Sequence, residues 1–242
     1  MLGKIYHRFD LLLLLILSFL GLLMFIITSF SLPLNYEYFL FRKPIIGLAF
    51  GLLSILGTMA AILPKECSKV FYCKKNIAQE KPISSNNASF IFGLRIVHGH
   101  HPSCENFSSH EFRIKDKSFC AGCTGLLIGA LLSLLGAIIY FSTDLFIPNF
   151  FIIIGLLGVA LGLILPLLDL KQTVLRLFIN AFFIFGVFLM LIGVDSLVQS
   201  ISIDLFLILL SIFWLFTRIS FSKWNHLRIC YECGNKCGLK AA

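Results

Sequence analysis

Charge is what this chain has least of. Only 13% of its 242 residues are Asp, Glu, Lys or Arg, while 58% are hydrophobic; a soluble domain carries about a quarter charged residues. That scarcity excludes an ordinary water-soluble fold and leaves an integral membrane protein. The net charge of +8 does not reverse this. A nucleic-acid surface gathers its basic residues on a folded polar face, whereas here they sit between apolar runs, so the expected partner is the lipid bilayer and not nucleic acid.

Other absences narrow the reading. The first apolar run, Leu11 to about Leu32, follows Lys4 and Arg8 and has no small-residue cleavage pattern at its end, so it reads as a retained helix rather than a signal peptide. Paired carboxylates and a nucleophile-elbow motif are missing, which weakens any hydrolase, and no thioredoxin-like pattern surrounds the cysteines. The centres of the apolar runs lack Asp, Glu, Lys, Arg and His. Asn180 is the most polar interior group there, and Arg176 is placed where it can snorkel to the cytosolic end. A transporter hands its ion across the midplane on such residues, so transport is the least expected class. No internal repeat is visible.

What is present is a succession of apolar runs long enough to span: Leu11 to Leu32, Pro44 to Leu63, Gly125 to Phe141, Pro148 to Leu168, Thr173 to Val194 and Ile201 to Phe216. The predicted fold class is an all-α membrane protein, six transmembrane helices with a small cytoplasmic Cys/His metal-binding cap. Its parts are two N-terminal helices (1–63), a Cys/His-rich loop module (64–123), a four-helix transmembrane bundle (124–218) and a Cys-rich tail (219–242). Gly47 with Gly51, Gly125 with Gly129 and Ser133, and Gly158 with Gly162 recur at four-residue spacing, which predicts close helix packing. The connections at Ser142 to Ile147 and Asp195 to Ser200 are short and predict antiparallel neighbours.

With this number of spans, eighteen of the twenty Lys and Arg residues fall on one side of the membrane, and only Arg42 and Lys43 on the other. The positive-inside rule then puts both termini and the long loop in the cytoplasm of a multi-pass cell-membrane protein. The tripeptides Asn87-Ala88-Ser89 and Asn106-Phe107-Ser108 match the glycosylation pattern but are unusable on a cytoplasmic loop.

The long loop holds the densest chemistry. From His98 to Gly129 lie four of the six histidines and three of the eight cysteines. Gln79 to Ser89 reads as a connector, Phe90 to Val97 as an interfacial or strand segment, and His110 to Ile114, Lys115-Asp116-Lys117 and Ser118 to Cys120 as a hairpin delivering Cys120 and Cys123 to the membrane surface. Cys120 and Cys123 have metal-knuckle spacing, with Gly125 close behind; Cys104 supplies a third thiolate, and His101 or His110 a fourth ligand. In the tail, His226, Cys230, Cys233 and Cys237 recur at helical spacing. One unbroken helix would spread them over roughly 16 Å, so Gly234 and Gly238 are expected to break it and fold Cys237 back. Soft thiolate and imidazole donors on a cytosolic face favour zinc over disulfides. Each cluster closes its own site, or the two knuckles share one ion. Cys67 and Cys73 read as plain thiols.

The run Cys104, Phe112, Ile114, then Cys120-Ala-Gly-Cys123-Thr-Gly125 leading into an apolar helix, resembles the signature of the membrane proteins grouped as DUF 2085. The family pattern has a histidine after its first cysteine and an arginine between the paired cysteines, where this chain has Glu105 and Gly122; His110 falls about where another family arginine stands. The resemblance implies a membrane protein and assigns no activity. The expected function is therefore a structural or accessory membrane protein whose zinc-bound cap meets a cytosolic protein partner. The alternative is an enzyme at the membrane surface, using Cys120 and Cys123 in thiol redox chemistry or a metal on a lipid.

Overall fold

The computed structural model describes residues 2–31, 41–62, 88–91, 94–97, 110–114, 117–143, 147–168, 170 and 172–232. Six helices are long and apolar enough to cross a membrane, the build of a multi-pass helical membrane protein. They are α1 (Leu2–Ser31), α2 (Arg42–Ile62), α3 (Ala121–Ser142), α4 (Phe150–Ile164), α5 (Thr173–Val198) and α6 (Ile201–Glu232). Between α2 and α3 come two short antiparallel hairpins, β1 (Ala88–Ile91) with β2 (Leu94–Val97) and β3 (Glu111–Ile114) with β4 (Lys117–Cys120).

Apolar runs become helices here because a backbone in lipid must satisfy its own N–H and C=O groups within the segment. Prolines mark where this cannot continue. Pro44 sits in the first turn of α2, where its missing N–H costs nothing, and Pro166 lies in the tight turn Leu165–Leu167 that ends α4. The outward faces carry Leu12, Leu48, Ile153 and Leu209, each about half exposed or more. Such a surface suits hydrocarbon, not water.

The central helix is α5. Inside the bundle 67% of its membrane-length stretch is buried, against 17% for α2. Its neighbours come close because they offer glycine. Gly129 of α3 faces the backbone of Ala181, where an added Cβ would stand 2.5 Å from the carbonyl oxygen, and Ser133 donates to the Ile184 carbonyl at 3.4 Å. From α4, Gly155 and Gly158 meet Gly186 of α5 in the same way. The expected small-residue contacts of α3 and α4 are thus present; of the α2 pair, Gly47 packs on Phe141 while Gly51 faces open space. On the far side α1 is tied to α6, where the Ser18 and Thr217 hydroxyls lie 2.9 Å apart and Trp214 Nε1 donates to the Ser18 carbonyl at 3.1 Å.

Two boundaries differ from the sequence reading in ways that matter. α5 runs to Val198 rather than Val194, so Asp195 is a helical, buried residue and not a loop residue. α6 continues to Glu232 instead of stopping at Phe216, which takes Arg218 into the bundle interior. Arg176 is buried and reaches back past the start of α5 to donate to the Leu170 carbonyl at 3.0 Å, so a protein group receives its guanidinium. Polar helix ends extend because packing against other helices gives their side chains partners that a lone span would lack.

Candidate functional site

The hairpin of β3 and β4 forms within the stretch from His110 to Cys120 where the sequence predicted one. Its register sets Phe112 opposite Phe119, and the rings stack with centroids 5.6 Å apart. A cross-strand aromatic pair of this kind is the main local stabiliser of a short hairpin. The same register puts Glu111 opposite Cys120, the last residue of β4.

Cys120 is also the residue from which α3 starts. Its backbone is extended (φ −77°, ψ 120°), and the chain turns helical at Ala121. Cys123 follows within the first turn, and both thiols are half-buried and free of disulfide. The side-chain hydrogen bond with Cys123 is the largest influence on the Cys120 thiol and holds it below the usual thiol range. Burial opposes this, the N–H groups of Cys123 and Gly122 at the helix start support it, and the Glu111 carboxylate opposes it weakly. Glu111 is itself pushed above the usual carboxylate range, by burial first and against the pull of Arg113. A helix start beside two thiols thus favours one thiolate, the form that binds metals and attacks disulfides.

Of the sequence-predicted ligands, Cys120 and Cys123 are brought together. His110 is buried one residue before β3, yet among the described residues no group of three or more His, Cys, Asp or Glu could hold a metal ion. His101, Cys104, Cys233 and Cys237 lie outside the described residues, as do the expected break at Gly234 and the thiols Cys67 and Cys73. His226 and Cys230 lie on α6, which carries them one turn apart. The helix therefore runs unbroken past Cys230.

Two buried polar clusters, at opposite ends of the bundle, were missed by sequence reasoning. Near Cys120, Arg218 of α6 donates to the Gly162 carbonyl at 2.9 Å and to the Asn180 side-chain oxygen, while its guanidinium covers the Phe183 ring at 4.7 Å. Asn180 in turn donates to the Arg176 carbonyl at 2.6 Å. At the other end, Arg42 bonds Asp195 and Asp204, and Tyr140 donates to Asp195 at 2.6 Å. The available signal was that each charged residue adjoins an apolar run with no break before it.

The comparisons leave the chain by itself: no family model, no curated protein and no solved structure matches it.

Proposed function

We propose that this is a multi-pass membrane protein whose loop and tail are fastened into a zinc-bound cap on its cytoplasmic face, with a structural or accessory role toward a cytosolic protein partner. The observation that carries the reading is the Cys120/Cys123 pair at the start of α3, with a thiolate favoured at Cys120. Two soft donors three residues apart fit half of a tetrahedral zinc site. The other half would come from Cys104 with His101 or His110, or from the tail through His226, Cys230, Cys233 and Cys237. Support for the second source is positional. α6 ends on the side of the bundle where α3 begins, and it carries His226 and Cys230 beyond the stretch that crosses the membrane. Zinc with four protein ligands contributes folding free energy and leaves no open position for substrate. The resemblance of the Cys104 to Gly125 motif to DUF 2085 is consistent with this reading and names no activity.

Metal content of the purified full chain tests it, wild type beside Cys120→Ser and Cys233→Ser. Zinc falling in both variants supports metal in each cluster, and complete loss from either single change means one shared ion. A wild type without stoichiometric zinc sinks the proposal.

The hydrogen bond between the two thiols favours a second reading, a dithiol that is oxidised to a Cys120–Cys123 disulfide while a partner disulfide is reduced to two thiols. Acid-quenched cells distinguish the two: a trapped Cys120–Cys123 disulfide promotes the redox reading, and its absence with zinc present removes it.

A further inference from the structure

Four helices meet at the end of the bundle away from Cys120, and each brings one polar side chain. Arg42 is the first residue of α2, Tyr140 lies in the last turn of α3, Asp195 in the last turn of α5 and Asp204 in the first turn of α6. Asp195 and Asp204 are brought together because only Gln199 and Ser200 separate α5 from α6, with Gln199 held at a left-handed φ of 53°. Arg42 Nη1 donates to Asp195 Oδ1 and, at 3.0 Å, to Asp204 Oδ2. Tyr140 donates its hydroxyl to Asp195 Oδ2 at 2.6 Å. Lys43 lies nearby, with its Nζ 5.7 Å from the Tyr140 ring centroid.

Two independent accounts of this cluster come out short by the same thing. By ion pairs among the described residues, the two carboxylates share a single guanidinium nitrogen of Arg42, so within hydrogen-bonding distance one cation serves two negative charges if both are ionised. Asp204 is 0% and Asp195 1% exposed, so water does not screen them. By hydrogen bonds, three of the four carboxylate oxygens accept from Arg42 or Tyr140, and the fourth, Asp204 Oδ1, is buried with no partner. A single proton corrects both. It cancels the charge, and it turns the orphaned oxygen into a donor beside the Asp195 carboxylate, which shares the same guanidinium nitrogen.

We propose that the Arg42–Asp195–Asp204–Tyr140 cluster is a proton-binding site that holds one proton shared between the two aspartates. A sodium or calcium ion fits less well, because a hard cation takes several oxygens of its own and three of these four are already engaged by donors. The cluster lies within one turn of four helix ends, so its proton exchanges with the solution on that side of the membrane and not across the midplane. The proposal does not depend on zinc at the opposite end.

The test is infrared spectroscopy of the full chain in lipid nanodiscs at neutral pH, in light and heavy water. A protonated carboxyl gives a carbonyl band that moves on deuteration and that ionised carboxylates lack. The expected result is such a band in wild type, lost in Asp204→Asn and kept in Glu111→Gln, which removes the half-buried carboxyl of the β3–β4 hairpin, itself held above the usual carboxylate range. Should Asp204→Asn fail to fold, the wild-type spectrum and its loss of the band on alkaline titration, with Glu111→Gln behaving the same, carry the decision. No deuteration-sensitive band in wild type overturns the site. So does a band that Glu111→Gln abolishes, or one displaced by added sodium at constant pH.

Discussion

At the scale of the residue, the chemistry of this chain depends on which side chains were given partners. Cys120 has the ordinary thiol of any cysteine, about 8.5 when free, until the hydrogen bond with Cys123 and the N–H groups at the start of α3 hold it lower. A lowered thiol stays ionised to more acidic pH, so its alkylation should begin at lower pH than that of a free thiol. In metal-stripped protein, the rate of iodoacetamide labelling at Cys120 should inflect below the normal thiol range in wild type. Cys123→Ala removes the largest contribution and should move the inflection upward. An unmoved inflection would place the cause elsewhere. The positions of Cys120 and Cys123 were legible in the sequence from their spacing; the lowering at Cys120 was not, since it comes from the hydrogen bond with Cys123 and the N–H groups at the helix start.

At the scale of the element, glycine decides where helices touch. The sequence shows several Gly pairs at helical spacing and gives them equal weight. Only rotation about each helix axis, set by all the neighbours at once, separates those that face a backbone from those that face lipid. Gly129 faces the Ala181 carbonyl of α5, whereas nothing lies within 4 Å of the Cβ position at Gly51. Gly129→Ala should therefore cost about 1–3 kcal/mol through overpacking, seen as a lower unfolding temperature in detergent, and Gly51→Ala should leave that temperature unchanged. Equal effects would mean that α3 and α5 are not in the contact described. The α6 helix teaches a similar lesson. Its apolar run ends near Phe216, but Arg218 finds Gly162 and Asn180 inside the bundle, and the helix continues to Glu232.

At the scale of the whole molecule, two polar layers separated by the thickness of the bundle define its ends. Helix starts of α2 and α6 meet helix ends of α3 and α5 at Arg42, Asp204, Tyr140 and Asp195; the opposite ends meet at Arg218, Gly162 and Asn180. Neighbouring spans must therefore alternate in direction, as their short connections require. Removing the buried Arg42, Arg176 and Arg218 from the basic-residue count leaves the asymmetry between the two faces with the same sign. A reporter fused at Lys240 should accordingly be active only in the cytoplasm. Activity on the outer side would invert the bundle and move the proton-binding end to the cytosol.

The number, approximate positions and lipid-facing character of the spans were determined by the sequence alone, because unbroken apolar length and the demands of the backbone in hydrocarbon are local properties. The β3–β4 hairpin was equally local, since two short segments joined through Lys115-Asp116-Lys117 pair without a distant partner. The interior charges were decided by tertiary structure alone. Arg42, Tyr140, Asp195 and Asp204 come from four helices, and although each charged one adjoins an apolar run, that neighbourhood does not tell which of the others it will meet. Next to a short connection, Asp195 reads as a solvated loop residue, and it becomes a buried one only when the end of α5 is enclosed by α2, α3 and α6. Whether a charge at a helix end meets water or a counterion is a question of which other ends share its depth, and that is fixed by packing.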